Sequence, residues 1–283
     1  MKNKFLLLAF CFLAPLRAEE SKPEPAAEKS AFELLSDQAR IASPEHYAFA
    51  VEKKAQVLPM PDGRSFYLFW QPVPNAPMIV TLHPEGGWAY DDFFLWQAAA
   101  AKRGYGILAV QWWFGKGDQF SDYYTADALH PMFQTIFKDL GIVPGKTIFH
   151  GFGRGAAIAY DLGFLEVHTR KHLFGAFIAN AGGVDPDFPL HRDITFGKYG
   201  FRVFEGTHWI LYCGGKDSKP ARDGCEAMNG TRQWLERFNG KVDLFIQDPD
   251  GDHGGFHGNP KNIDAAMDVC DRLLKVKPSA GKP

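Results

Sequence analysis

The segment that most constrains the fold runs over residues 146–160, where an apolar run passes into a helix-forming run across three glycines. Lys-Thr-Ile-Phe-His is typical of a buried strand, and Ala-Ala-Ile-Ala-Tyr is typical of a helix. Gly151, Gly153 and Gly155 lie between them, each separated by one larger residue. Glycine adopts left-handed backbone conformations without steric cost, so this spacing predicts a tight strand-to-helix turn centred on Gly153.

The remaining sequence alternates strand-like apolar runs with helix-like segments. Two adjacent strands open the series, and repeated strand–helix units follow them. This order predicts an α/β domain with a mostly parallel, eight-stranded sheet and helices on both faces. The predicted strands cover 47–57, 65–71, 78–83, 105–112, 147–150, 173–180, 207–213 and 242–247, and the predicted helices cover 91–103, 122–140, a segment from 154, 220–238 and 260–275.

The N-terminus has the features of a cleaved signal peptide. A basic Met-Lys-Asn-Lys start precedes an apolar run from Phe5 to Leu16, and the small residue Ala18 precedes Glu19. The run is too short for an ordinary membrane helix, so we expect export and no stable membrane span. With 283 residues the chain is long enough for one large domain. The predicted organisation is a signal peptide over 1–18, a charged arm over 19–43, the domain over 44–276 and a tail over 277–283.

Charge and cysteine content limit the partners and the compartment. Loss of residues 1–18 removes Lys2, Lys4 and Arg17 and no acid, which leaves 28 basic and 33 acidic residues. This acidic balance argues against a nucleic-acid partner. The exported form retains three cysteines, an odd number that allows one disulfide and one free thiol, and the sequence leaves the pairing open. They are Cys213, Cys225 and Cys270.

Three further loops with chemically useful residues follow predicted strands. His-Pro-Glu-Gly-Gly-Trp, residues 83–88, follows the third strand. Tyr-Cys-Gly-Gly-Lys-Asp, residues 212–217, follows the seventh, and Asp-Gly-Asp-His-Gly-Gly, residues 250–255, follows the eighth. Carboxyl ends of parallel strands meet at one edge of a sheet, where active sites of α/β proteins form.

In this order the four motifs resemble the α/β-hydrolase fold over roughly residues 44–276. That superfamily places a serine nucleophile at the centre of a G-x-S-x-G turn and an oxyanion loop after an earlier strand. Here Gly153 stands at the serine position. The resemblance implies Asp217 as the acid and His253 as the base, in the usual chain order of nucleophile, acid and histidine. Size, the Gly-Gly-Trp loop and the signal look most like exported bacterial esterases of the depolymerase and feruloyl-esterase kind.

The resemblance also implies an oxyanion hole and a substrate pocket. The oxyanion donors would be backbone amides of Arg154, Glu85, Gly86, Gly87 and Trp88. Aromatic residues on segments bordering the same sheet edge would line the pocket, although such residues also build cores. These pocket candidates are Trp88, Phe93, Trp112, Trp113 and Tyr123.

No other residue takes over the role of the missing serine. Ser218 adjoins the predicted acid, and Cys213 lies two strands from the turn, roughly 10 Å away at the usual strand spacing. We therefore expect no acyl-enzyme, and a protein that binds or slowly hydrolyses a small-molecule or polymeric carboxylic ester. No cofactor is expected.

Other interpretations remain alongside this one. The Gly151-x-Gly153-x-x-Ala156 spacing also fits a dinucleotide fingerprint, but the next predicted strand ends in Asn180 rather than an acid. Asp248 to Asp252 resembles a calcium loop with a misplaced glycine and Asn259 in place of the glutamate, so no metal is expected. A non-catalytic scaffold, with a glycine turn similar to that of the N-myc downstream-regulated family, and a serine-to-glycine form of an active esterase both stay open.

Overall fold

The computed structural model describes residues 29–276. The predicted signal peptide, the first part of the arm and the tail lie outside these residues. The strands are β1 Gln56–Pro59, β2 Phe66–Trp70, β3 Met78–Leu82, β4 Gly106–Val110, β5 Thr147–Phe152, β6 Ala176–Asn180, β7 His208–Gly214 and β8 Lys241–Asp248. The α-helices are α1 Ala31–Ala42, α2 Pro44–Glu52, α3 Ala89–Arg103, α4 Ala126–Leu140, α5 Arg154–Thr169, α6 Pro189–Thr195, α7 Cys225–Arg237, α8 Gly255–Gly258 and α9 Pro260–Leu274.

The eight strands form one sheet in the order β1-β2-β4-β3-β5-β6-β7-β8. Strand β2 pairs antiparallel with both β1 and β4, and every pairing from β4 through β8 is parallel. All six residues of β5 are buried, although successive side chains point to opposite faces. Both faces of the central sheet are therefore covered by helices, and the predicted fold class is confirmed.

The strand prediction over 47–57 is wrong. Tyr47, Phe49 and Val51 alternate with smaller or polar residues as in a strand, but the segment forms α2 up to Glu52. Pro44 at the first helical turn fixes a helix-compatible backbone angle, and the alanines between the aromatic residues favour a helix. Only the last part of the predicted range enters the sheet, as the start of β1.

The folded region begins earlier than residue 44. The part of the predicted arm that the structure describes forms α1, which starts with a capping box between Ser30 and Glu33. Its Leu35 and Ala39 side chains are buried in the main core. The residues that cover them are distant in sequence, so the charged and proline-rich local sequence does not show that this helix packs on the core.

The sheet brings the four sequence motifs to one edge. The loops after β3, β5, β7 and β8 all leave from the carboxyl ends of parallel strands. Cys213 at the end of β7 forms a disulfide with Cys225 at the start of α7, and Cys270 is a buried free thiol. The disulfide closes the loop that carries Asp217. No helix within residues 29–276 is long and apolar enough to cross a membrane.

Candidate active site

Gly153 lies at the turn between β5 and α5 with φ of 54° and ψ of −114°. This is the left-handed half of conformational space, as the glycine spacing predicted. The flanking glycines are required by packing, because a Cβ on Gly151 would lie 2.2 Å from the carbonyl oxygen of Gly155. A Cβ on Gly155 would lie 2.5 Å from the carbonyl oxygen of Leu82 on β3. The turn can therefore form only where both flanking residues lack side chains.

His253 faces the place where a Gly153 side chain would begin. A Cβ on Gly153 would lie 3.2 Å from His253 Nε2 and 3.4 Å from Pro84 Cβ. The other ring nitrogen, Nδ1, lies 2.8 Å from Asp217 Oδ2, whose side chain is completely buried. Phe152 packs beside the imidazole with ring centroids 4.9 Å apart. The structure thus brings Gly153, Asp217 and His253 together at one edge of the sheet.

A second carboxylate, Asp223, adjoins the histidine and was missed by the sequence analysis. Its Oδ2 lies 3.9 Å from His253 Nδ1, beyond hydrogen-bond distance, and its side chain is buried. Arg222 donates to this carboxylate at 2.8 Å, while the amide of Lys219 donates to Asp217 at 2.8 Å. One signal was available, because Asp223 follows Asp217 within the loop that leaves β7.

The three site groups Asp217, Asp223 and His253 could also be considered as metal ligands, since their donor atoms lie within 4.8 Å of one another. The two carboxylates already have partners within the protein. The Lys219 amide and His253 are hydrogen-bonded to Asp217, and Arg222 is hydrogen-bonded to Asp223. The geometry therefore fits a hydrogen-bonded acid–histidine pair better than a metal site.

The loop after β3 differs from the predicted oxyanion loop. The amides of Gly86, Gly87 and Trp88 donate to the Tyr123 hydroxyl, the Pro84 carbonyl and the Asp91 carboxylate, at 3.0, 3.0 and 3.1 Å. These three amides are therefore unavailable, which corrects that part of the prediction. The sequence could not show this, because the acceptor for Gly86 lies 37 residues away.

Two predicted oxyanion donors remain. Arg154 is the first residue of α5, where a backbone N–H has no acceptor within the helix. The amide of Glu85 likewise donates to no group in the described part of the chain. Glu85 directly follows Pro84, which borders the Gly153 position. An oxyanion role stays a prediction for the amides of Arg154 and Glu85.

Two cavities lie beside the turn, and Arg154, the residue after Gly153, lines both. An outer cleft of about 230 Å³ is lined by Gly153, Arg154, Arg222 and Asp223 among others. An inner cavity of about 210 Å³ has mainly aromatic and aliphatic walls. Residues shared by both linings are Phe120, Arg154 and Phe188. Phe120, Asp161 and Phe188 are further lining residues that the sequence analysis did not single out.

Only part of the predicted pocket lines these cavities. Trp112 and Tyr123 form walls of the inner cavity. Trp88 and Trp113 instead pack against each other with ring centroids 4.6 Å apart, and neither lines the inner or the outer cavity. Phe93 is fully buried in the core. The spacing of aromatic residues does not show which face of each ring is covered, so it predicts only part of the cavity lining.

Buried polar groups support the strand behind the turn. His150 on β5 contacts the Thr81 hydroxyl at 2.8 Å and accepts a hydrogen bond from Trp96 at 3.1 Å. The Thr81 hydroxyl also donates to Asp92. Burial raises the pKa of Asp92 to about 7 and lowers the pKa of His150 well below its ordinary value. Asp92 is therefore largely protonated, and His150 neutral, at mildly acidic pH.

Two more histidines near the site are neutral for the same reason. Burial lowers the pKa of His83 to about 4 and that of His257 to about 3. His253 is the histidine whose ring adjoins both Gly153 and the buried Asp217. In the loop that precedes His253, the Asp248 carboxylate accepts hydrogen bonds from Asn259 and Asn262. These hydrogen bonds hold the pKa of Asp248 below its ordinary range. Asp248, the first residue of the segment that resembled a calcium loop, therefore has a structural role.

Solved structures of ester hydrolases share this architecture. A candidate dienelactone hydrolase from Klebsiella pneumoniae is 14% identical, with 79% of this chain and 98% of that chain covered and a TM-score of 0.60. Esterase B from Lactobacillus rhamnosis is 10% identical, with 86% and 96% covered and a TM-score of 0.58. The protein has the α/β-hydrolase fold. Thermogutta terrifontis esterase 2 gives 17% identity, 81% and 97% coverage and a TM-score of 0.56.

The similarity to known proteins is one of structure. No protein-family profile matches the chain, and no curated protein sequence matches it. At identities of 10 to 17% the structural neighbours of this α/β-hydrolase-fold protein establish the fold alone, because chemistry depends on the residues of the site and not on the fold.

Proposed function

We propose that this protein is an exported, carboxylesterase-like member of the α/β-hydrolase fold with a degenerate triad, in which Gly153 stands where the nucleophile would be. The observation that carries the proposal is the position of His253, with Nε2 3.2 Å from a Cβ on Gly153 and Nδ1 2.8 Å from Asp217. A histidine oriented in this way is a general base aimed at the missing hydroxyl.

The proposed reaction is slow, direct hydrolysis of a bound carboxylic ester. A water molecule in the space of the absent hydroxymethyl group transfers a proton to His253 Nε2 as its oxygen attacks the ester carbonyl carbon. Asp217 stabilises the resulting imidazolium, and the amides of Arg154 and Glu85 stabilise the oxyanion. The tetrahedral intermediate then collapses, the carbon–oxygen bond to the alcohol breaks, and His253 returns its proton to the leaving alcohol. The products are the acid and the alcohol, without an acyl-enzyme.

Restoring the hydroxyl tests this proposal. We expect little turnover of p-nitrophenyl acetate by the wild type, since loss of a triad member leaves only about 10³- to 10⁴-fold acceleration over water. Gly153→Ser should produce a burst of p-nitrophenol and covalent labelling by a serine-directed phosphonate. Both should disappear in Gly153→Ser/His253→Ala. Gly153→Ala is the matched control, because it introduces the same Cβ strain without a hydroxyl.

The second candidate is a binding scaffold that performs no chemistry. The missing nucleophile favours it, and so do the amides of Gly86, Gly87 and Trp88, which are bound elsewhere. A folded Gly153→Ser protein that neither reacts with the phosphonate nor hydrolyses short esters would support the scaffold. A fast wild-type turnover that survives His253→Ala would contradict both candidates.

Export is the remaining part of the proposal. It rests on the signal-like residues 1–18, and the disulfide between Cys213 and Cys225 supports it, because disulfides persist mainly in oxidising compartments. N-terminal sequencing of the protein from its native cell should give a chain that starts at or near Glu19. An intact Met1 in the cytosolic fraction would contradict export.

A further inference from the structure

The outer cleft and the inner cavity are neighbours that share Arg154 in their linings, and together they are called the double cavity below. The outer part lies over Gly153, and the inner part extends along α5. A ligand that places an ester next to Gly153 therefore has a second compartment of about 210 Å³ for one of its substituents. The chemistry of that compartment indicates which substituent it accepts.

The inner walls present rings rather than polar atoms. The indole N–H of Trp112 and the hydroxyls of Tyr123 and Tyr124 donate to protein oxygens at 2.8, 3.0 and 2.8 Å. Their polar atoms are thus already bound, and the surfaces left toward the cavity are apolar. The body of the ligand should therefore be apolar and about the size of one aromatic ring.

The charge of the lining is strongly negative. Two arginines and six carboxylates line the double cavity. The arginines are paired, Arg154 with Glu85 at 3.1 Å and Arg222 with Asp223 at 2.8 Å. The other four carboxylates form no ion pair with a lysine or arginine among residues 29–276; they are Asp127, Asp161, Asp185 and Asp187. This excess favours a cation over a neutral or anionic group.

Asp161 is the member of this group that points to a specific contact. It lies on α5 seven residues after Arg154, with Ile158 between them, so the three residues share one helix face. Asp161 is 9% exposed, and its buried Oδ1 accepts no hydrogen bond. His191 Nε2 lies 3.2 Å from it but is hydrogen-bonded to the carbonyl of Ala157. Because Asp161 also lines the inner cavity and no lysine or arginine among residues 29–276 pairs with it, an ammonium group in that cavity would be attracted to its charge.

Arg154 supplies the complementary end. Its guanidinium lies over the rings of Phe120 and Tyr123 at 4.3 and 4.2 Å, and its Nη2 is buried without an acceptor. A rise of 1.5 Å per residue separates Arg154 and Asp161 by roughly 10 Å along the helix axis. An ester carbonyl near Arg154 and an ammonium group near Asp161 would each lie beside a side chain of complementary charge.

We propose that the double cavity selects an ester whose apolar, ring-sized substituent ends in an ammonium group. The Asp161 carboxylate receives the ammonium, the aromatic walls enclose the body, and the ester lies beside Gly153. This inference rests on the proposed function in its placement of the ester, and it adds the charge and shape of the substituent.

The test compares three probes of similar size on the full-length wild-type protein: 2-phenylethylammonium, 2-phenylethanol and 3-phenylpropionate. Binding is measured by quenching of tryptophan fluorescence and by calorimetry. We expect the ammonium probe to bind at least about tenfold more tightly than the alcohol, because hydrogen bonds to charged groups are the stronger class, and the carboxylate most weakly. Added salt should weaken binding of the ammonium probe and leave the alcohol unchanged.

Variants locate the effect. Asp161→Asn should weaken ammonium binding about tenfold and leave alcohol binding unchanged, whereas Asp139→Asn, at an exposed position on α4, should alter neither. If Asp161→Asn does not fold, the rim variant Asp127→Asn/Asp187→Asn should still weaken ammonium binding several-fold, since both side chains are exposed.

Equal affinity for the alcohol and the ammonium, or tighter binding of the carboxylate, would overturn the inference. An Asp161→Asn variant that weakens both probes equally would also overturn it, because that result indicates a packing role. None of these measurements requires turnover. Failure of Gly153→Ser to react would therefore count against the proposed function and not against the preference for a cationic ligand.

Discussion

The turn at Gly153 and the acid–histidine pair lie side by side and differ in the groups that they present. The turn has a tight backbone geometry with positive φ and carries no side-chain functional group. The pair keeps both groups, with Asp217 bound to His253 and a second carboxylate, Asp223, 3.9 Å away. Backbone geometry at the turn depends on Gly151 and Gly155, which pack against main-chain atoms, so it does not require a hydroxyl at residue 153.

The largest expected effect distinguishes the two carboxylates beside His253, which are Asp217 and Asp223. In the Gly153→Ser background, Asp217→Asn should slow phosphonate labelling about 10⁴-fold, since an amide no longer holds the correct histidine tautomer. Asp223→Asn should slow it by less than about tenfold, because its oxygen lies beyond hydrogen-bond distance. Labelling rates measured under pseudo-first-order conditions check both. Equal losses in the two variants would mean that the carboxylates act as one unit.

The next effect concerns the turn itself. Gly151→Ala should cost roughly 4 kcal/mol or more, because the new Cβ would lie 2.2 Å from a backbone oxygen that cannot move away. Gly153→Ala should cost only about 1 to 3 kcal/mol, which is the strain of a Cβ at positive φ. Its nearest neighbour is a side-chain atom at 3.2 Å. Urea unfolding gives both values. A Gly153→Ala variant as unstable as Gly151→Ala would show that the site has closed over the missing hydroxyl.

These two halves also differ in how far the sequence predicts them. Gly153, Asp217 and His253 follow strand ends, and local glycine patterns mark each loop, so their convergence follows from the topology of a parallel sheet. The sequence shows the residue at each position but not its distant partners. The Gly86 amide meets a tyrosine 37 residues away, and nothing local indicates that it is occupied.

Helix α2 shows the same limit within the fold. Its alternating aromatic residues suit a strand, and only its packing against α3 shows which face is covered. Asp161 illustrates it within the site, since the cavity that it lines is built from several distant segments. The sequence predicts the positions of residues in local turns, and it does not predict contacts that depend on a distant neighbour.

The disulfide also distinguishes the two regions, because it constrains the loop of the acid–histidine pair and not the turn at Gly153. It links residues 12 apart and closes the loop that holds Asp217 and Asp223. Cys213→Ser/Cys225→Ser should lower the free energy of unfolding by about 3 kcal/mol, as expected for a loop of this length. Reduction of the wild type should give the same shift in a guanidinium unfolding curve. No change in either experiment would mean that hydrogen bonds alone order the loop.

The smallest expected effect is on the pH dependence of stability. It concerns Asp92, one of the buried polar groups that support β5 behind the turn. Folded Asp92 keeps its proton up to about pH 7, whereas in the unfolded chain it titrates near its ordinary value of 3.8. Between these values the folded state binds more protons, so the free energy of unfolding falls as the pH rises. From about pH 5.5 to about pH 8 this loss is on the order of 2 kcal/mol.

The buried histidines contribute with the opposite sign. His83 and His257 titrate at about 4 and about 3 when folded and near 6.5 when unfolded, so stability rises between those values and is complete above about 6.5. Asp92→Asn should therefore remove the fall above about pH 6.5 and leave the acid-side rise, because an amide keeps the shape of the protonated acid and does not titrate. Thermal unfolding at several pH values measures this, with Asp139→Asn as the exposed control. If the free energy of unfolding of Asp92→Asn still falls above about pH 6.5, another buried acid titrates in that range, and a protonated Asp92 does not stabilise the turn.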